Sequence, residues 1–367
     1  MTLRMATVCS GIGAPEAAAA GLGIDTVWQS EIEPFPAAVL AARYPGVPNL
    51  GDMCGIDGGR WRDDIDILVG GTPCQAFSVA GLRGGLGDPR GKLTLKFVEL
   101  CHALAPDFVL WENVRGVLSS RDNAFGCFLG ALAGENGPLL PPGSWWPDAG
   151  CVVGPKRKLA WRVLDAQYFG LAQRRRRVFV VGCPRNGADP CEVLFERQGV
   201  QRHTPPLRPA GPGIAPGIAP CLGASGRGFA RVGEPRGQDP LIVCKGSVAS
   251  MPVDLSPTLN ACPSRSGRLD ASSEALVVVP ELAGTIDCDD HVSGRTRTFI
   301  PGPGSSVRRL TPTECERLMG FPDGYTAIPW NGRPAEECPD GPRYMALGNS
   351  MAVPVVRWIF ERIIGAA

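Results

Sequence analysis

The chain has 367 residues, a net charge of +1, 44% hydrophobic and 20% charged residues, which is length enough for two domains and excludes a polycationic binding protein. Its 48 glycines and 36 prolines demand long loops. Fourteen cysteines without a Cys-x-x-Cys pair, and the dispersed His102, His203 and His291, argue against a zinc or iron–sulfur site; with no apolar leader and no run of about 18 apolar residues, the chain is expected to be cytoplasmic, reduced and off the membrane.

Short apolar runs flanked by turn residues predict buried strands at 5–9, 65–69, 108–111 and 178–181, with helical spacing at 36–43 and 93–104 between them. This alternation predicts a parallel α/β sheet with helices on both faces and ligands at the carboxyl ends of its strands. The Pro- and Gly-rich stretch 136–158, with Trp145 and Trp146, reads as an ordered loop. After about residue 185 the alternation stops. A Gly-, Pro- and Arg-rich region up to 308 carries a weak repeat of short strands and arginine-bearing loops, as expected of a separate β-rich domain. Helices return at Thr311-Pro-Thr-Glu314, a capping box stopped by Gly320 and Pro322, and at 352–364, where Ser350 reads as the cap.

Four stretches point to chemistry. Cys9-Ser-Gly-Ile-Gly13 follows the first strand, and Glu31 lies 20 residues beyond Gly11, the spacing at which a glycine turn and an acidic residue meet a nucleotide's ribose. Cys74 ends the buried run 65–69 inside a loop of glycines, Gln75 and Ser78, a polar setting unlike that of an inert core thiol. Glu112 sits at a strand end on the same edge, where a buried carboxylic acid can donate a proton. Gln173-Arg-Arg-Arg-Arg177 brings four arginines to the mouth of the next strand, and alternation turns two of them inward.

Together these motifs closely resemble the DNA cytosine-5 methyltransferase family, of bacterial or phage type. The matching stretches are Ser10-Gly-Ile-Gly, Gly70-Gly-Thr-Pro-Cys-Gln-Ala-Phe-Ser, Glu112-Asn-Val, Gln173-Arg-Arg-Arg-Arg, the run from Arg309 to Asp323, and Leu347-Gly-Asn-Ser-Met. The resemblance implies an α/β fold of the S-adenosylmethionine-dependent, Rossmann-like kind with a smaller β-rich target-recognition domain. Residues 1–184 would form the catalytic and cofactor domain, 185–346 the recognition domain with 308–346 at the junction, and 347–367 a helix returning to the first. It implies Cys74 as nucleophile, aimed by Pro73, on C6 of a flipped-out cytosine in double-stranded DNA, with Glu112, Asn113, Arg175 and Arg177 around the base. Ser10, Gly11, Ile12, Gly13, Glu31, Ile32, Asp52, Met53, Leu93, Asn349 and Ser350 would hold S-adenosylmethionine, and no metal is implied. Where the family has Asp-Leu-Phe, this chain has Thr7-Val-Cys9, losing an aromatic ring expected against the cofactor. Further expectations are a monomer, a restriction endonuclease encoded nearby as partner, and target reading by Arg227, Arg231, Arg265, Arg268, Arg295 or Arg297. The rivals are an RNA cytosine-5 methyltransferase, a thymidylate-synthase-like enzyme and a catalytically silent DNA-binding regulator of the same fold.

Overall fold

The computed structural model describes residues 2–72, 89–196, 276–280 and 305–367. Pro73 and Cys74, and the six arginines expected to read the target, lie outside them. The chain divides into two compact units: Met1–Asp165 with Arg176–His203 and Met351–Ala367, and Ala166–Arg175 with Thr204–Ser350.

In the first unit the described strands are β1 (Leu3–Val8), β2 (Ile24–Ser30), β3 (Ile67–Gly70), β4 (Phe108–Val114), β5 (Ala149–Val153), β6 (Arg157–Asp165) and β7 (Arg176–Pro184). They form a seven-stranded sheet in the order β2-β1-β3-β4-β7-β6-β5. Pairing is parallel from β2 through β4 and antiparallel from β4 to β5, so the expected parallel sheet holds for four strands only. The cause is connection length: β5, β6 and β7 follow one another without a crossover helix, which only antiparallel neighbours can do.

The helices of this unit are α1 (Ala14–Ala19), α2 (Pro34–Arg43), α3 (Pro89–Leu104), α4 (Ala124–Ala133), α5 (Pro190–Leu194) and, at the C-terminus, α8 (Val353–Ala366). Side chains alternate across the sheet. Ala6, Val8, Leu68, Val109, Trp111, Val178 and Val180 share one core with Phe97, Leu100 and Leu104 of α3 and Phe125, Phe128 and Leu132 of α4. Thr7 points the other way and bonds Glu16 of α1. On that side Arg357 of α8 donates to the Ala18 and Ala20 carbonyls, closing the C-terminal end of α1; Arg362 does the same for α5 through the Val193, Glu192 and Phe195 carbonyls.

The stretch read as a loop at 136–158 contains β5 and the start of β6. Trp146 is buried and donates to Asn123 at 2.9 Å, and it packs edge-on against Phe125 and Trp161. Three basic side chains of β6 donate to protein carbonyls. Arg157 is buried and donates to Pro106 and Cys101 at the end of α3, Lys158 to Gly187 and Arg162 to Leu194. Guanidinium groups satisfy helix-terminal carbonyls that have no partner within the helix.

In the second unit β8 (Leu276–Pro280) pairs antiparallel with β9 (Ser305–Arg309). Within the region expected to carry repeated short strands, 276–280 is therefore a strand; residues 197–275 and 281–304 lie outside the described residues. Helix α6 (Pro312–Met319) opens on the capping box, with Glu314 N bonded to Thr311 Oγ1 and Thr311 N to Glu314 Oε2. Its C-cap Gly320 has φ 84°, which glycine adopts without strain. Helix α7 (Asp340–Asn349) ends at Ser350, whose N–H bonds Leu347 O. Ser350 is thus a C-cap; the N-cap of α8 is Ala352, which makes no side-chain capping bond.

Candidate active site

In an open sheet of this kind, ligands bind beyond the carboxyl ends of the strands where strand order reverses. Here that point lies between β1 and β3, since β2 and β3 flank β1 on opposite sides.

After β1 the chain turns through Cys9 (φ 48°), Gly11 (φ 56°) and Gly13 (φ 82°), left-handed backbone that lets main chain approach a ligand closely. Glu31, just past β2, closes this turn. Its Oε2 accepts Gly11 N at 2.7 Å and its Oε1 accepts Ile32 N at 2.9 Å and Glu33 N at 2.8 Å. A carboxylate has about four acceptor positions, so three of them are taken by these backbone donors. Burial pushes the Glu31 carboxyl up from its ordinary range, and the three backbone donors pull it back. Asn49 steadies the same turn, accepting Glu31 N and Gly51 N and donating to Glu31 O. Composition and motif reading passed over Asn49, whose position just before Gly51-Asp52 is the signal of a side-chain turn.

Ile32 is 65% exposed and Met53 3%: an apolar surface stands free at Ile32, while Met53 is already covered. Met53 Sδ is 3.7 Å from Cys9 Sγ, so the cysteine standing in the aromatic position packs on a residue expected to hold the cofactor. Burial, before the nearby Glu31 charge, pushes the Cys9 thiol up to about 12. Asp52 is exposed and caps the next turn by accepting Cys54 N at 2.9 Å. Ser10 Oγ accepts Ser30 N and lies 2.7 Å from Thr7 Oγ1; Ile12 is fully buried beneath the turn. Leu93 is partly buried against the core.

Under the turn, Thr7 donates to Glu16 Oε1 at 2.7 Å. Burial raises the Glu16 carboxyl pKa, opposed by donors from Thr7, the helix backbone and Gln29. An acid raised in the folded state binds its proton more tightly there than when unfolded. The stability it carries is therefore complete below the ordinary carboxylate pKa and is lost as pH rises from there through the folded pKa. Glu16→Gln removes that loss. The melting-temperature gap between variant and wild type should widen in the variant's favour as pH rises above the ordinary carboxylate range; a constant gap in calorimetry contradicts this.

At the carboxyl end of β4, Glu112 is 9% exposed. Val114 pairs with Arg177 at the start of β7, so Arg177 is the diagonal neighbour of Glu112 on one face, and its Nε is 3.3 Å from Glu112 Oε1. A β-carbon on Gly71 would sit 3.1 Å from Met351 Cε and 3.8 Å from Glu112 Oε2, so the loop root passes directly over this carboxylate. Gly70 serves another purpose: a β-carbon there would lie 2.5 Å from the Phe97 ring, and its glycine makes room for the core. Asn113, on the opposite face from Glu112, donates to Thr72 O at 2.9 Å. Arg176 shares Asp148 with Arg115.

The other predicted site residues belong to the second unit. Arg175 is 3% exposed, and its Nη2 donates to Gly348 O at 3.2 Å and Ser350 O at 2.7 Å. It clasps the turn bearing Asn349 and Ser350. Gln173, fully buried, donates to Leu318 O at 3.2 Å.

One sheet edge thus carries a glycine turn closed by a carboxylate, beyond β1 and β2, and a second carboxylate beside an arginine, at the end of β4. The C-5 cytosine-specific DNA methylase family model matches residues 3–135 and 264–365, and the chain belongs to that family. It is 43% identical to the "DNA N-6-adenine-methyltransferase" of Escherichia phage P1, over 98% of this chain and 61% of that one. It therefore spans about three fifths of that relative's length. To the Type II methyltransferase M2.BsuMI of Bacillus subtilis (strain 168) it is 27% identical, over 98% of this chain and 75% of that one. Among solved structures, S. pombe Dnmt2 methyltransferase matches with a TM-score of 0.57 at 15% identity, over 99% of this chain and 98% of that one, a likeness of fold.

No helix among the described residues is long and apolar enough to cross a membrane.

Proposed function

We propose that the protein methylates C5 of cytosine in double-stranded DNA, with S-adenosylmethionine as donor. The observation that carries this reading is the placement of Glu112, beside Arg177 and beneath Gly71, at the edge from which the chain runs through Thr72 into Pro73 and Cys74. C5 of cytosine is a poor nucleophile. Addition of the Cys74 thiolate to C6, with Glu112 hydrogen-bonding or protonating N3, pushes electrons toward C5 and divides one hard step into easier ones. When bound, S-adenosylmethionine supplies an electrophilic methyl group. Loss of the C5 proton then restores the ring and expels the thiolate. The base must leave the duplex stack for a side chain to reach C6.

Glu31 is the ribose partner, Ile32 offers an exposed face for adenine, and the Ser10–Gly13 turn offers close-approach backbone; these fit the cofactor. Asp52, Met53, Leu93, Asn349 and Ser350 complete the assignment. Arg177 holds the orientation of Glu112, Asn113 ties β4 to the loop root, and Arg175 acts through the Ser350 turn. We assign residues 1–184 and the 347–367 helix to catalysis and 185–346 to target recognition.

The phage P1 relative's name favours a second reading, methylation of adenine N6, which needs no thiol addition. Incubation with labelled S-adenosylmethionine and unmethylated DNA, followed by nucleoside analysis, separates the two. The expected product is 5-methyldeoxycytidine; N6-methyldeoxyadenosine favours the second reading, and label in tRNA but not DNA favours the RNA enzyme. A protein binding DNA without transferring label is the silent regulator.

A further inference from the structure

Thr72 ends the described chain before Pro73 and is 2% exposed. Three groups hold it. Trp111 Nε1 donates to Thr72 Oγ1 at 2.9 Å, Thr94 Oγ1 lies 3.0 Å from the same hydroxyl, and Asn113 Nδ2 donates to the Thr72 carbonyl at 2.9 Å. An indole N–H only donates, so the hydroxyl accepts from Trp111 and is left with a hydrogen for Thr94. The indole is itself fixed by stacking on Phe128, ring centroids 4.2 Å apart, and Thr94 is buried on α3.

Three elements thus meet on one hydroxyl: the end of β3, β4 and α3. Helix α3 is the element that follows the 73–88 segment, so the Thr72–Thr94 bond ties the residues flanking it. Pro73 has no N–H and a fixed φ, so nothing can hold the entering peptide by its nitrogen. Cys74 follows Thr72 by two residues in the sequence, so the bonds on Thr72 set where the chain enters Pro73-Cys74.

We infer that Thr72, with Thr94 and Trp111, is a positioning residue that sets the Cys74 thiol for attack on the base. This rests on the reading of Cys74 as nucleophile. Misplacement of a reacting group by about 1 Å costs on the order of 100-fold. In the full chain, Thr72→Val should lower kcat by about 10- to 100-fold and slow covalent capture of 5-fluorocytosine duplex equally. KM for DNA and for S-adenosylmethionine should stay within about twofold, a split that general destabilisation would not produce. Thr72→Ser, which keeps the hydroxyl, should restore most of the rate. Trp111→Phe, which keeps the ring stack but removes the donor, provides a second variant; combined with Thr72→Val it should add no further loss. Wild-type kcat in Thr72→Val, or a serine variant as slow as the valine one, overturns the inference while 5-methylcytosine from the wild type upholds the function. A wild type that makes no 5-methylcytosine overturns both.

Discussion

Cys74→Ala is expected to reduce methyl transfer to background, and Glu112→Gln to lower it by about 10²- to 10⁴-fold, the usual worth of a positioned proton donor. The two losses differ in kind. Without the thiol no electrons reach C5, so nothing remains to be accelerated; without the acid the thiolate still adds, against the cost of leaving N3 unprotonated. Cofactor binding should survive both changes, because Glu31 and the Gly11–Gly13 turn hold together through bonds that involve neither residue. Equilibrium binding of S-adenosylmethionine alongside product analysis checks the pair. Near-wild-type 5-methylcytosine from Cys74→Ala would remove covalent addition from the mechanism, and full activity in Glu112→Gln would remove the acid.

What the sequence reveals of this fold depends on where each segment lies. The central strands are legible because they are buried on both faces: β4 between residues 108 and 111 carries only buried apolar side chains, and a continuous apolar run is its signature. The edge strand β5 has no buried residue, only exposed and half-exposed ones, so periodicity has nothing to report and the segment passes for a loop. Helix α7 is hidden by Gly341, Pro342 and Gly348, three residues that ordinarily argue against a helix. Ser350 is a sound capping residue placed between two helices, and it ends α7 instead of starting α8.

The site divides in the same way. The place of Gly11, Glu31 and Glu112 is legible because each follows or ends a strand of the parallel half of the sheet, which brings all three to one edge. Thr72, Thr94, Asn49 and Glu16 are not, since a buried threonine or asparagine has no type that announces whom it will bond. Arg157 shows what charge alone conceals: its type announces a cation, and the structure directs its guanidinium to the Pro106 and Cys101 carbonyls.

The largest stability effect is expected at Glu316. Fully buried, it accepts Gly324 N at 2.7 Å and Thr326 N at 2.8 Å, bonds the Thr326 hydroxyl, and pairs with Arg343 at 3.2 Å. Arg343 in turn donates to Thr326 Oγ1 at 2.9 Å. One carboxylate therefore joins α6, the 320–328 turn and α7. Glu316→Ala leaves a buried guanidinium and two amides without this acceptor, which costs about 3–5 kcal/mol. Arg317→Ala, one residue away, breaks only the exposed pair with Asp323 and should cost no more than about 1 kcal/mol. Urea unfolding of the three proteins ranks them; equal losses would contradict the distinction between the buried and the exposed pair.

The most direct test of the central claim is mass spectrometry of the protein incubated with S-adenosylmethionine and a duplex carrying 5-fluorocytosine at its target, found beforehand by bisulfite sequencing. Fluorine at C5 cannot leave as a proton does, so addition at C6 becomes a stable adduct. A DNA-linked peptide with the nucleotide on Cys74 is the predicted result; methylated product with no adduct, or an adduct on another residue, would contradict it.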